Sequence, residues 1–186
     1  MKIFPSHVAL LVSSVRKAAD YLSRFEFEIG PEEIWDGEGT KEIYVEKDQA
    51  NSLLLMEPVR AGAYQRAMEK RGPGLHHLAI DVADLDAYLS SLVGSGWLLH
   101  PISAQTMKKK RTAYLARPGF PALIEVQQRD ALVHRPLFVT SISLPHSSDR
   151  ISLVERIGLG DIVRFSQGDV TVSLAGKSVE LRELIK

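Results

Sequence analysis

A six-residue segment of this chain occurs twice. His7-Val8-Ala9-Leu10-Leu11-Val12 is echoed seventy positions later by His77-Leu78-Ala79-Ile80-Asp81-Val82, with His, Ala and Val in the same places. A repeat of this kind means two copies of one supersecondary unit, each unable to bury its apolar face alone. Both segments are apolar enough to read as strands. Each is followed by a residue suited to cap a helix, Ser14 or Asp84, and then by apolar residues at helical spacing. Those are Val15, Ala18, Ala19 and Leu22 in the first copy, and Leu85, Tyr88, Leu89 and Leu92 in the second. Strand-like runs follow at 41–45 and 52–57, and again at 112–116 and 122–127. The unit is therefore β-α-β-β-β, used twice, and the last strands align so that Leu54 falls opposite Glu125. The expected class is α+β, with repeated modules forming a curved, mostly antiparallel sheet shaped like a cup.

The two modules span residues 1–60 and 73–130. Residues 59–71 read as a linker helix carrying Tyr64, Ala67 and Met68 on one stripe, stopped by Gly72-Pro73-Gly74. Residues 131–186 repeat the element order more weakly: a strand at 138–144, a helix capped by Ser148-Asp149, and strands at 161–165, 169–175 and 178–184. At the place of His7 and His77 this third unit has Ser141, so it reads as structural. Half-sheets leave an apolar face and open edges, and three of them leave one unpaired. A homodimer joined through the third unit is the expected remedy, with folding back as a lid the alternative.

Composition narrows the chemistry. In 186 residues, Lys+Arg 23 balances Asp+Glu 23, a formal net charge of +0 that argues against capture of nucleic acid or an anionic membrane. There is no cysteine, which removes disulfides, thiolate nucleophiles and sulfur-held metals, so a metal must sit on His, Asp, Glu or an amide oxygen. No apolar run approaches the roughly 18 residues of a membrane span, and the short run at 8–12 lacks a cleavage site for secretion. The expected location is cytoplasmic.

Alternate strand residues share a face, so His7 aligns with Ala9 and Leu11, and His77 with Ala79 and Asp81. By the same alternation, His76 points away from His77 and reads as packing. Two repeats related by a pseudo-twofold axis would bring His7 and His77 together, flanked by Leu54 and Glu125. Two imidazoles and a carboxylate make a site for a divalent cation with open positions, and zinc, cobalt, nickel, manganese and iron all suit such donors. Glu125 lies in the apolar run Ala122-Leu123-Ile124-Glu125-Val126, where a buried carboxylate needs a cation or a proton.

These segments resemble the vicinal oxygen chelate superfamily: glyoxalase I, extradiol dioxygenases, bleomycin-resistance proteins and methylmalonyl-CoA epimerase. The resemblance covers residues 1 to 130, and the run Glu69-Lys70-Arg71-Gly72-Pro73-Gly74-Leu75-His76-His77-Leu78-Ala79-Ile80 is most similar to the epimerase. It implies metal ligation by His7, His77 and Glu125, with the fourth epimerase ligand falling on Leu54, which cannot coordinate. It also implies a second catalytic carboxylate at Glu42. Glu42 and Glu125 would then serve as the catalytic pair, on opposite faces of a substrate such as an acyl-CoA, for proton transfer next to a carbonyl. The missing fourth ligand keeps two alternatives open: a non-haem Fe(II) dioxygenase of the extradiol type, and a metal-free binder of small molecules. The basic run Lys108-Lys109-Lys110-Arg111 reads either as a contact for coenzyme A phosphates or as a solvated turn.

Overall fold

The computed structural model describes residues 2–145 and 151–185; the expected helix cap at Ser148-Asp149 lies outside them. The first module runs β1 (Ile3–Leu11), α1 (Val15–Ser23), β2 (Glu33–Trp35), β3 (Thr40–Val45) and β4 (Ser52–Pro58). After the linker helix α2 (Ala63–Arg71), the second runs β5 (Gly74–Val82), α3 (Leu85–Ser91), β6 (Leu98–Leu99), α4 (Ser103–Lys110), β7 (Thr112–Ala116) and β8 (Leu123–Gln128). The helices begin where side chains satisfy their first free amides. Ser14 accepts from the Lys17 amide at 3.4 Å, and Asp84 from the Ala87 amide at 3.0 Å. The linker helix stops at Gly72, whose positive φ of 73° suits glycine and whose amide closes the last turn on the Met68 carbonyl.

One eight-stranded sheet holds both modules, in the order β2-β3-β4-β1-β5-β8-β7-β6. Its two halves join through β1 and β5, which run antiparallel with His7 opposite Ala79 and His77 opposite Ala9. That crossed pairing is the pseudo-twofold expected of the repeat. Within each half the first strand lies parallel to the last, β1 with β4 and β5 with β8. One face of the sheet carries Val8, Leu10, Leu78 and Ile80 into a core shared with α1 and α3, all of them essentially inaccessible. The other face carries His7, Ala9, Leu11, Leu54 and Met56, and α2 lies over part of it through Tyr64, Ala67 and Met68.

The C-terminal region continues with β9 (Val139–Pro145), α5 (Ile151–Arg156), β10 (Val163–Ser166), β11 (Thr171–Leu174), β12 (Lys177–Glu180) and α6 (Leu181–Leu184). Element order repeats the modules, but pairing does not: β9 lies between a parallel β10 and an antiparallel β11, giving the order β10-β9-β11-β12. Residues 181–184, read from the sequence as the end of a strand, form the helical turn α6 instead, with Leu181 and Leu184 buried. β9 and β11 alternate buried and open positions, and their buried residues enter the same core as α1 and α3. The Tyr88 hydroxyl donates to the Ile157 carbonyl, the Trp97 indole to the Leu153 carbonyl, and α1 touches α6. Helices α1 and α3 thus lie between two sheets, and the apolar face of the third unit is covered within the chain. Among the described residues, no helix is long and apolar enough to cross a membrane.

A second departure is α4. Residues 103–110 form a helix that the sequence pattern does not announce: Ile102 at the cap position supplies no side-chain hydrogen bond, and only Ser103 of the helix is buried. Its last turn holds Lys108, Lys109 and Lys110, where cations meet the negative end of the helix dipole. Arg111 follows in the left-handed conformation, paired with Asp86 at 2.9 Å.

Candidate functional site

The structure brings His7, His77 and Glu125 together. The two Nε2 atoms lie 3.0 Å apart, His77 Nε2 is 3.1 Å from Glu125 Oε2, and His7 Nε2 is 3.5 Å from the same oxygen. Among the described residues this is the one group of three or more such side chains whose donor atoms could share an ion, and all three are buried. Metal–ligand bonds of about 2.1 Å place donors about 3.0 Å apart at right angles and about 3.4 Å apart in a tetrahedron. The three separations match that window, so the donor set fits a divalent cation in both size and chemistry. Room for the cluster comes from Ala9 and Ala79, the small residues paired directly across from the histidines.

The electrostatics agree with the geometry. Burial would raise the Glu125 carboxyl, but hydrogen bonds and charge from His7 and His77 hold it well below the usual carboxylate range. Its second oxygen, Oε1, accepts from the Tyr114 hydroxyl at 3.0 Å and from Gln127 Nε2 at 2.9 Å. Gln127 in turn accepts from Arg129, which also reaches Asp81 at 3.3 Å. Oε1 is therefore anchored, leaving Oε2 to face the histidines. Burial pushes His77 below the ordinary histidine value despite the neighbouring carboxylate, the direction that favours a ring able to offer a lone pair to a cation.

Glu42 stands apart from this cluster but on the same face. β3 places Ile43 and Val45 in the helix-side core, which turns Thr40, Glu42 and Tyr44 to the opposite face of the sheet. The Glu42 carboxylate is buried, accepts from the Thr40 hydroxyl at 2.7 Å, and feels both His7 and Glu125. Burial raises it above the ordinary glutamate value, more than the Thr40 bond lowers it. Leu54 takes the position opposite Ala9, the counterpart of Glu125 opposite Ala79. It is buried with Leu11, Met56 and the α2 side chains, so apolar surface occupies the fourth corner of the site.

His76 is not where alternation puts it. The pairing of β1 with β5 skips a residue between His77 and Leu75, a bulge that turns two consecutive side chains toward one face. The His76 ring consequently meets the Tyr64 ring at 5.0 Å and places its Nδ1 2.9 Å from His77 Nδ1. Sequence gave no sign of the bulge. The nearest signal was the doubled histidine itself.

Two cavities flank the cluster. The larger, about 690 Å³, is lined by Tyr64, His76, Tyr114 and Leu123 with Arg66, Arg71 and Lys109 among its borders. The smaller, about 330 Å³, lies toward His7, Tyr44 and Arg129 and is crossed by residues 131–135.

Residues 6–114 match the model of the Glyoxalase/Bleomycin resistance protein/Dioxygenase superfamily, more than half of the chain, although the match ends before Glu125. Among solved structures, a hypothetical protein from Bacillus halodurans aligns with a TM-score of 0.58 at 19% identity, covering 73% of this chain and 100% of that one. Methylmalonyl-CoA epimerase from Mycobacterium tuberculosis aligns with a TM-score of 0.54 at 26% identity, covering 67% of this chain and 87% of its own. The Streptomyces coelicolor epimerase in complex with 2-nitronate-propionyl-CoA aligns at 0.52 and 20% identity, covering 68% and 98%. No curated protein matches in sequence. With the duplicated βαβββ sheet, the histidines from its paired first strands and the family match in agreement, the chain belongs to the glyoxalase/bleomycin resistance/dioxygenase superfamily.

Proposed function

We propose that this protein is a metal-dependent epimerase or isomerase that moves a proton on the carbon next to a carbonyl, with an acyl-CoA such as methylmalonyl-CoA as substrate. The observation that carries this is the pairing of two unlike carboxylates on one face of the sheet. Glu125 stands beside two histidines, while Glu42 is buried apart from them with its carboxyl raised by burial. A divalent cation on His7, His77 and Glu125 supplies Lewis-acid polarisation of a carbonyl oxygen when bound. Glu42, whose raised value brings it nearer to neutral pH, takes the proton from the adjacent carbon on one face. The opposite face takes its proton from solvent on the Glu125 side of the site, and Glu42 later releases to solvent the proton it took, while the anchoring of Glu125 Oε1 by Tyr114 and Gln127 keeps that carboxylate in place through the exchange. The α2 helix shields this region from water with Tyr64, Ala67 and Met68.

An acyl-CoA is favoured by the larger cavity. Arg66, Arg71 and Lys109 on its border make no ion pair among the described residues and are free to meet phosphates, for which point charges suffice. Structural neighbours include an epimerase in complex with methylmalonyl-CoA, at 20% identity.

The test is metal analysis of protein purified without chelator, followed by solvent-deuterium incorporation into methylmalonyl-CoA. Exchange that requires the metal supports the proposal; a metal-loaded protein that exchanges nothing from any acyl-CoA sinks it. Leu54 supports one second reading. With three protein ligands and an apolar fourth corner, the set equals the two-histidine, one-carboxylate arrangement of non-haem iron oxygenases. Oxygen uptake with a catechol after anaerobic Fe(II) loading would favour that reading over proton transfer.

A further inference from the structure

We infer that His76 is a positioning residue for His77: through the bulge in β5 it holds the ring with Nε2 turned to His7 and Glu125. The inference rests on the proposal that these three residues hold a cation.

A histidine that offers Nε2 to a cation carries its proton on Nδ1, and a buried N–H needs an acceptor. His77 is almost wholly inaccessible, and the partner within reach of its Nδ1 is His76 Nδ1, at 2.9 Å. That nitrogen accepts only when the His76 ring is neutral with its own proton on Nε2. The Tyr64 ring from α2 packs on His76 at 5.0 Å and limits its rotation, while the Tyr64 hydroxyl is tied to Glu38 at 3.0 Å. The arrangement runs from the linker helix to the cluster: Glu38 fixes Tyr64, Tyr64 confines His76, and His76 orients His77.

The first module shows that the bulge alone does not impose this contact. β1 has its own register shift between Pro5 and His7, so Ser6 occupies the place that His76 occupies in β5. Ser6 lies near Asp81 and lines the smaller cavity. Equivalent bulges thus present different residues, and the one beside His77 has the chemistry to select its tautomer. A further consequence is that His76 lines the larger cavity, so occupancy there touches the residue that aligns a ligand of the cluster.

The experiment measures Co(II) affinity by chelator competition, and the visible absorption of bound Co(II), in the wild type, His76→Leu, His76→Asn and Ser6→Ala. Thermal melting of each checks folding. His76→Leu removes the acceptor and is expected to weaken binding about 10–100-fold and to change the absorption envelope. His76→Asn restores an acceptor and is expected to recover most of the affinity and the spectrum. Ser6→Ala is expected to bind as the wild type does. His76→Leu binding with unchanged affinity and spectrum overturns the inference, as does His76→Asn performing no better than leucine. Wild-type protein that takes up no cobalt defeats the inference together with the metal proposal, whereas failure of acyl-CoA exchange alone leaves it standing.

Discussion

The two modules share a backbone and differ in what they contribute. In the second, the last strand presents Glu125, bonded by Tyr114 from the neighbouring strand; in the first, the equivalent pair is Leu54 beside Tyr44. The first module keeps a carboxylate one step along its third strand, at Glu42, where the second has Thr112. Duplication gives symmetric strands, and a handful of side chains breaks that symmetry: His7, His77 and Glu125 gather in one cluster, and Glu42, its carboxyl raised by burial, stands apart from them on the same face. The lesson is that the pseudo-twofold fixes where groups stand, while burial and partners decide what each can do.

Making the second module resemble the first is the most damaging way to break this comparison. Glu125→Leu places leucine at both equivalent positions and leaves only two histidines. Bound metal per chain, measured by elemental analysis, is expected to fall to near zero, as it should for His77→Ala. Retention of stoichiometric metal in either variant would show that the cation sits elsewhere.

Glu42→Gln tests the other half of the division. The glutamine carbonyl can still accept from Thr40, but it cannot take a proton, so substrate exchange is expected to drop by about 10²–10⁴ with metal content unchanged. Stability should move the opposite way. A carboxyl raised by burial contributes stability below its unfolded value of 4.5, and that contribution is lost as pH rises through the higher folded value. At pH 7 the wild type therefore carries a buried charge that the variant lacks. A gain of about 1 kcal/mol, or about 2–4 °C in melting temperature, is expected there and should vanish near pH 4. Equal melting temperatures across that range would mean that Glu42 is solvated. The same raised value predicts that the acid limb of the exchange rate lies above the ordinary glutamate range.

Leu54→Gln runs the comparison in reverse by offering the first module a ligand. Without metal, a buried amide replaces leucine against Leu11, Met56 and the α2 side chains, and an unsatisfied amide costs about 1–3 kcal/mol. Added Zn(II) should recover that loss if the amide oxygen reaches the cation, because a ligand that binds only the folded state stabilises it by mass action. The metal-induced rise in melting temperature should then exceed that of the wild type. An equal rise would place Leu54 outside coordinating distance.

Much of this asymmetry was legible in the sequence because it rests on strand arithmetic. A period of two puts His7, Ala9 and Leu11 on one face and Val8 and Leu10 on the other, and the repeat offset pairs Leu54 with Glu125 without any knowledge of loops. The reading failed where local pattern stops being periodic. Alternation puts His76 on the wrong face because a bulge inserts one residue without a signature in side-chain type. Helix α4 is hidden because its face is nearly all polar and its cap is isoleucine, so neither an apolar stripe nor a capping residue marks it, although its residues favour helix. The C-terminal unit repeats the order of elements, but order does not specify which strand pairs with which. There β9 joins β10 directly, and hydrogen bonding of residues 136–139 to Ala50 and Asn51 seats the second sheet.

The finest difference between the modules is a hydroxyl. Tyr114 and Tyr44 occupy equivalent positions, yet Tyr114 donates to Glu125 Oε1 while Tyr44 pairs across from Leu54, which offers no acceptor. Tyr114→Phe removes one of two bonds holding Oε1; Gln127 remains, so the carboxylate stays near its place with more freedom to turn. A hydrogen bond of this kind contributes about 1 kcal/mol, which is near fivefold in an equilibrium constant. Co(II) affinity is expected to fall by about that factor in Tyr114→Phe and to hold steady in Tyr44→Phe. If the two variants behaved alike, the orientation of Glu125 would belong to Gln127 and the histidines, and the tyrosine pair would be packing on both sides of the cup.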